Sequence, residues 1–213
     1  MIDLKNEVSG IVPDSQWKLK TTGTPWYAGE TISVGVGQGP ITITPIQMAN
    51  FISFIANGGK IYSPHLLKAV LSKDNKFNPY KPRTIIQENI NPTYANLIKE
   101  ALWSVVNADG TGGRAKIPGF DVCGKTGTVE LLTKKELLKN NPALRLKFKE
   151  HSWFVGFAPK DNPQIAVAIF VEHGGHGGET AAPIAKAIFQ QYFKLDSVQI
   201  VQNNNEANLA APD

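Results

Sequence analysis

The 213-residue chain contains 42% hydrophobic and 19% charged residues, which is typical of a globular protein and not of a disordered or collagen-like one. No run approaches the roughly 20 apolar residues that span a membrane, and no secretory signal is recognisable. The net charge is +4, and segment 134–150 alone holds six cations and two carboxylates, so the charge gives no reason to expect nucleic-acid binding. The single cysteine, Cys123, excludes an internal disulfide and a cysteine-rich zinc site.

In chain order, the first 30 residues predict a turn-rich start because Gly and Pro recur there. The first predicted helix follows Thr44, a suitable N-cap, with Pro45 at its first position and Gln47 completing a capping box. Its apolar residues extend nearly all round, which predicts a central, buried helix. The sequence 57–59, Asn-Gly-Gly, ends it.

Residues 60–90 predict short extended pieces around a polar turn at 72–76. A second helix is predicted after Asn91-Pro92, ending near 107–110. Its apolar residues repeat with the helical period of 3.6 and predict one buried face. They are Tyr94, Leu97, Ile98, Ala101, Leu102 and Val105.

Three strands are predicted next, over 120–131, 152–158 and 164–172. The last of them contains an unbroken apolar run, which is typical of a strand covered on both faces. The sequence Asp-Asn-Pro at 161–163 predicts a tight turn, so the second and third strands should form an antiparallel hairpin.

A final helix is predicted with Thr180 as its cap, and a polar tail over 196–213. The helix should bury the face formed by Ile184, Ala187, Ile188, Tyr192 and Leu195. These elements predict an α+β fold in which antiparallel strands pack against helices, with residues 1–195 belonging to one domain.

The sequence Lys125-Thr126-Gly127-Thr128, on a predicted strand, carries the most specific chemistry. A strand can align a peptide substrate through backbone hydrogen bonds. The Lys125 ammonium would favour anionic groups, the Thr126 hydroxyl can bind a carboxylate, and Gly127 leaves room for close approach. The Thr128 N–H is then free to face a developing oxyanion.

The wording around this tetrapeptide resembles the C-terminal half of the transpeptidase domain of class B penicillin-binding proteins, and most of all the penicillin-binding protein 2 group. The matching pieces occur in family order. They are Ile2–Leu4 with Ser9-Gly10 and Pro13, Pro25–Tyr27 with Gly29, Gly35–Gly39, Thr44–Met48, Asn57–Gly59, Lys125–Thr128, Trp153–Pro159 and Glu172–Gly175.

The resemblance implies a penicillin-binding protein/β-lactamase-like fold and a D,D-transpeptidase that cross-links peptidoglycan stem peptides through a serine acyl-enzyme. It implies acylation by β-lactams, cell-elongation proteins as partners, a periplasmic location with an inner-membrane anchor, and no cofactor. It also implies that the Ser-x-x-Lys and Ser-x-Asn motifs and the anchor precede Met1, so we expect a fragment that is inactive alone.

Several alternatives stay open at this point. Ser15 and Lys18 fit Ser-x-x-Lys, and Ser72-Lys-Asp74 approximates Ser-x-Asn, so Ser15 is an alternative nucleophile with Lys18 as its base. A serine β-lactamase or carboxypeptidase relative, or a non-catalytic scaffold piece of the cell-shape machinery, would also fit the chain.

Other features favour structural roles. The glycines of 35–39 precede a strand-like stretch, which is unlike a phosphate loop, and the pair His173 and His176 lacks a third metal ligand. Cys123 is expected to be a small packing residue. The basic segment 134–150 is expected to be solvated, with a lid or a lipid-headgroup contact as the functional alternative.

Overall fold

The structure, a computed structural model, describes residues 5–130 and 149–195. Its helices are α1 (Ser15–Thr22), α2 (Ala28–Gly35), α3 (Pro45–Ala56), α4 (Pro92–Asn107) and α5 (Gly177–Phe193). Its strands are β1 (Lys60–Tyr62), β2 (Ala69–Leu71), β3 (Phe77–Pro79), β4 (Thr84–Gln87), β5 (Cys123–Val129), β6 (His151–Ala158) and β7 (Ile165–Val171). No helix in these described ranges is long and apolar enough to cross a membrane.

The main sheet has the order β5-β6-β7, and both pairs of neighbours are antiparallel. The register places Lys125 opposite Val155 and Gly127 opposite Trp153. The predicted hairpin is confirmed, since β6 and β7 pair along their length from Ala158–Ile165 to Ser152–Val171. All three predicted strands exist, with ends shifted by a few residues.

Residues 60–90 form two small sheets, β1-β4 and β2-β3, each of two antiparallel strands. The short strands and the polar turn at 72–76 agree with the prediction. The strands are only three or four residues long, and β3 and β4 are exposed along their whole length. This region therefore has little core of its own.

The largest core cluster lies between the main sheet and α5, and includes the fully buried Phe154 and Phe189. The predicted buried face of α5 is wrong, because Ile184, Ile188 and Tyr192 are exposed. The residues that face the sheet are Ala181, Ala182, Ala185 and Phe189. Small alanines let the helix axis approach the strands closely, which bulkier side chains would prevent.

The predicted face of α4 is wrong over the first turns of the helix only, because Leu102 packs against a core cluster and Val105 is half-buried. Tyr94, Leu97 and Ile98 are exposed, while Val106 near the C-terminal end is fully buried. This end is fixed to the strand region by Asn107, whose side-chain amide donates to the Val122 carbonyl at 2.8 Å. Periodicity identified residues that share a face of α4, but only the docking of its last turns decided which face is covered.

The helix α3 begins as predicted, with the Thr44 hydroxyl accepting from the Gln47 N–H and the Gln47 side chain accepting from the Thr44 N–H. It is less enclosed than predicted, because Ile52 and Ala56 are buried while Phe51 is 52% exposed. The helix start of α5 also differs from prediction. His176 is its N-cap, and the Thr180 hydroxyl donates instead to the Gly174 carbonyl at 2.7 Å.

The helices α1 and α2 replace the turns predicted for the first 30 residues. Their apolar residues lack a clear helical period, so local contacts specify them instead. Asp14 caps α1 by accepting from the Trp17 N–H, and Glu30 accepts from the Tyr27 N–H at the start of α2. Lys18, only 8% exposed, joins the two helices through an ion pair with Glu30.

Two predicted features lie outside the described residues. These are the polar tail at 196–213 and most of the basic segment, of which only positions 149 and 150 are described.

Candidate active site

The tetrapeptide Lys125–Thr128 lies in β5, which is at one edge of the main sheet. Lys125 is exposed and the next three residues are half-buried. The Lys125 ammonium donates to the Thr126 carbonyl oxygen at 2.8 Å. Because β6 occupies only the other side of β5, the ammonium lies beside a strand edge that has no β-strand partner within the described residues.

The direction of the backbone at Thr128 is fixed by Gln38. The Gln38 side-chain amide donates to the Thr128 carbonyl oxygen at 3.1 Å. The N–H and C=O of one strand residue point toward the same neighbouring strand, so the Thr128 N–H also lies on the edge away from β6. The glycine loop at 35–39 thus bounds the open edge of β5.

The side chains of Thr126 and Thr128 lie near the start of α5 and the loop that contains Thr111. The Gly177 N–H donates to the Thr128 hydroxyl at 3.3 Å, and the Thr126 and Thr111 hydroxyls are 2.6 Å apart. A Cβ at Gly177 would lie 2.4 Å from the carbonyl oxygens of Gly127 and Trp153. Glycine is therefore required there for the positive end of the α5 dipole to approach β5.

The turn at 172–176 carries the chain from β7 to α5 and is held by two side chains of β6. Ser152, fully buried, donates its hydroxyl to the Gly175 carbonyl at 2.7 Å. The His173 N–H donates to Nδ1 of His151 at 2.9 Å, and Nδ1 of His173 lies 3.0 Å from the Lys149 carbonyl. Both histidines thus contact the backbone around this turn.

Cys123 begins β5 and is fully buried, with Sγ donating to the Lys99 carbonyl at 3.6 Å. Burial raises the pKa of its thiol to about 12, against an ordinary value of 9.0. The thiolate is therefore strongly disfavoured near neutral pH, which supports the predicted packing role.

The family model for the penicillin binding protein transpeptidase domain matches residues 1–190 of this chain. The chain belongs to the penicillin-binding protein transpeptidase family. The resemblance read from the sequence is thereby confirmed, together with the α+β penicillin-binding protein fold that it implied.

The chain is similar in sequence to proteins that are named as peptidoglycan D,D-transpeptidases. It is 35% identical over 208 residues to the peptidoglycan D,D-transpeptidase MrdA of Haemophilus influenzae, covering 95% of this chain and 32% of that protein. It is 34% identical over 210 residues to MrdA of Escherichia coli K12, covering 96% of this chain and 32% of that protein. The chain spans about a third of the length of these relatives.

The fold is similar to that of solved penicillin-binding proteins. PBP2 of Pseudomonas aeruginosa, in complex with WCK 5153, superimposes with a TM-score of 0.72 at 33% identity, covering 89% of this chain and 39% of that one. Family membership and structural likeness thus agree over most of the chain.

Ser15, the alternative candidate for the nucleophile, is the first residue of α1. Lys18, its alternative base, is held by Glu30 at 2.5 Å and lies 4.3 Å from the centre of the Tyr27 ring. Among the described helices and strands, β6, α4 and α5 pack against β5, and α1 does not. Asp74 of the second alternative motif lies in the turn between β2 and β3.

Sequence reasoning missed three contributors to this site of the penicillin-binding fold: Gln38, Thr111 and Gly177. Gln38 and Thr111 come from glycine-rich loops at 35–39 and 110–113, and Gly177 is the first residue of α5, directly after the glycine-containing turn at 172–176. The glycine clusters were the available signal. Their position around Lys125–Thr128 follows from how α4 and α5 pack on the sheet.

Proposed function

We propose that this chain supplies the substrate-aligning strand of a peptidoglycan D,D-transpeptidase. The observation that carries the proposal is the open edge of β5, where Gln38 fixes the Thr128 carbonyl so that the adjacent Thr128 N–H also faces outward. A stem peptide would lie antiparallel along this edge and accept from the N–H groups of residues 126 and 128, whose carbonyl oxygens already accept from Lys125 and Gln38.

In this reaction a serine oxygen attacks the carbonyl carbon of the penultimate D-alanine, and negative charge develops on the carbonyl oxygen. The Thr128 N–H would donate to that oxygen as the charge forms. Collapse of the tetrahedral species expels terminal D-alanine and leaves an acyl-enzyme, which the amine of a second stem peptide then attacks. We assign the nucleophilic serine to no residue of this chain.

Lys125 and Thr126 would bind the anionic end of the substrate. The Lys125 ammonium is exposed at the strand edge and adds positive charge there, while the half-buried Thr126 hydroxyl can donate to a carboxylate. Gly127 presents no side chain to the peptide. The β-lactam carboxylate and strained amide would occupy the same places.

The relatives also suggest where the whole protein works. PBP2 of Helicobacter pylori has been solved in complex with MreC, and that chain matches this one with a TM-score of 0.72 at 26% identity, covering 91% of this chain and 33% of that one. We extend this to a periplasmic, membrane-anchored parent that works with a cell-elongation protein of the same kind.

A peptide-binding measurement on this chain tests the substrate strand. Titration with a peptide ending in D-Ala-D-Ala should shift the amide resonances of residues 125–129 in an NMR spectrum. Lys125→Gln should weaken binding by about fivefold, as expected for the loss of one charge-assisted contact, and Thr126→Val by a similar factor. The matched control, Lys20→Gln on the exposed surface of α1, should bind like the unaltered chain. Shifts that spare β5, or equal losses in Lys125→Gln and Lys20→Gln, would refute the assignment.

Mass spectrometry after incubation with a fluorescent penicillin tests the placement of the nucleophile. We expect the intact mass of this chain to stay unchanged. A stoichiometric adduct mapped to Ser15 would show that the alternative Ser15–Lys18 pair is the working one.

A further inference from the structure

The hairpin formed by β2 and β3 combines positive charge with exposed apolar side chains. We define residues 67–83 as the basic hairpin. It contains five cations and a single carboxylate, Asp74, so its net charge of +4 equals that of the entire chain. The cations are Lys68, Lys73, Lys76, Lys81 and Arg83, and all are exposed.

The described part of the chain offers these cations no ion-pair partner. Within residues 5–130 and 149–195, none of the five forms an ion pair. Five like charges on one exposed element repel one another, and an external anionic surface would turn this repulsion into attraction.

The tip of the basic hairpin is apolar as well as basic. Leu71 and Phe77 are directly opposite each other in the last pair before the turn, on one face, and are 63% and 65% exposed. Lys73 and Lys76 lie in that turn, which is closed by the Ser72 N–H donating to the Lys76 carbonyl at 2.9 Å. The turn thus presents two ammonium groups beside an exposed aromatic and aliphatic pair.

A two-stranded hairpin has too little core to hold such side chains in place for its own stability. The exposed side chains of Leu71 and Phe77 are therefore available to insert into an apolar environment outside the protein. Leu71 and Phe77 are exposed together beside the turn cations. A bilayer interface accepts such an apolar pair while its anionic headgroups face the cations.

We propose that the basic hairpin docks on an anionic lipid bilayer, with Leu71 and Phe77 entering the interface and the five cations contacting the headgroups. This proposal is independent of the transpeptidase assignment. It involves a part of the chain that does not belong to the candidate active site.

Flotation of the 213-residue chain with lipid vesicles tests the proposal. We expect binding to vesicles of phosphatidylcholine mixed with phosphatidylglycerol, little binding to pure phosphatidylcholine, and a loss of binding as salt is raised. Replacing Lys73, Lys76 and Lys81 by Gln should weaken binding by about a hundredfold, at about fivefold per cation. The matched control replaces Lys134, Lys135 and Lys139 by Gln, which changes the net charge equally, and should retain most of the binding.

A second variant separates insertion from charge. Leu71→Ser with Phe77→Ser leaves every charge in place and, because both residues are exposed, should leave the circular dichroism and melting curve unchanged. We expect about tenfold weaker vesicle binding, from loss of the apolar transfer free energy. Equal losses in the two lysine triples, unaltered binding of the serine variant, or binding to an acidic polypeptide but not to anionic vesicles would each overturn the proposal.

Discussion

The main sheet with α5 and the lobe at residues 60–90 both contain antiparallel strands but differ in how those strands are stabilised. In the sheet, strands of seven or eight residues are covered by helices, and Phe154 and Phe157 are fully buried. In the lobe, strands of three or four residues leave Phe77 mostly in solvent. The same residue type therefore stabilises one region through burial and contributes little to the folding of the other.

Replacing Phe154 by Ala should give the largest contrast. The side chain is fully buried beneath α5, so its loss removes apolar burial and leaves a cavity, costing about 3–5 kcal/mol of unfolding free energy. Phe77→Ala is the matched control in the lobe and should change stability by less than about 0.5 kcal/mol. Urea unfolding of both variants measures the difference, and comparable midpoints would contradict the division into a packed and an exposed region.

Replacing Gly156 by Ala tests how closely the sheet strands pack. Its Cβ would lie 2.5 Å from the Cys123 carbonyl oxygen and 2.8 Å from the Phe154 ring, so a loss of about 1–3 kcal/mol is expected. Gly29→Ala in the first turn of α2 meets no atom within 4 Å and should be neutral or stabilising by up to about 1 kcal/mol. Thermal melting of both variants shows whether each substitution raises or lowers the melting temperature. A higher melting temperature for Gly156→Ala would be inconsistent with the described packing.

Replacing Ser152 by Ala, and Ser72 by Ala in the lobe, compares the contributions of two serine hydroxyls to stability. Ser152→Ala leaves the Gly175 carbonyl without its donor and should cost about 1–2 kcal/mol. Ser72→Ala in the lobe loses an acceptor for the exposed Lys76 N–H, which water replaces, so its cost should be about 0.5 kcal/mol or less. Hydrogen exchange at residues 173–177 should rise in Ser152→Ala alone. Protection that stays unchanged there would exclude this role for Ser152.

We expect Cys123 to make the stability of the chain fall with pH in alkaline solution. Between pH 9 and about 12 the unfolded thiol ionises while the buried one stays protonated, so the unfolded chain binds fewer protons. The unfolding free energy should fall by about 1.4 kcal/mol per pH unit from this group. The contribution of the protonated Cys123 thiol to the unfolding free energy is fully present below pH 9 and is lost as the pH rises.

Cys123→Ala isolates this component, because all other titrating groups remain. Its unfolding free energy should decline less steeply above pH 9 than that of the unaltered chain, by the stated amount per pH unit. An equal slope would show that the thiol is not buried from solvent. In the lobe no cysteine is present to give a similar effect.

The sequence predicted features that depend on neighbouring residues. The capping box at Thr44 and Gln47, the turn at 72–76 and the hairpin at 161–163 are all specified within a few residues, and each was found. The sequence motifs shared with the penicillin-binding protein family predicted the fold class. The helices α1 and α2 were missed because their apolar residues lack a clear helical period and the local contacts of Asp14 and Glu30 were not recognised.

The candidate site was predicted in part. The residues Lys125–Thr128 were identified from their motif and found on a strand, while their roles remain proposals. The contributions of Gln38 and Gly177 were not predictable, because the first is 90 residues from Thr128 in the chain and the second 49. Contacts at such separation leave no periodicity in the sequence.

By itself, the sequence determined which segments are helix or strand in the better-patterned parts and which tetrapeptide is the candidate for substrate binding. Tertiary structure alone decided which faces of α4 and α5 are buried and which edge of β5 is open. The physical reason is that an amphipathic pattern specifies a preference for burial, whereas burial itself requires a surface of matching shape. On α5 that surface accepted the small face of Ala181, Ala182 and Ala185 and left the isoleucines in solvent.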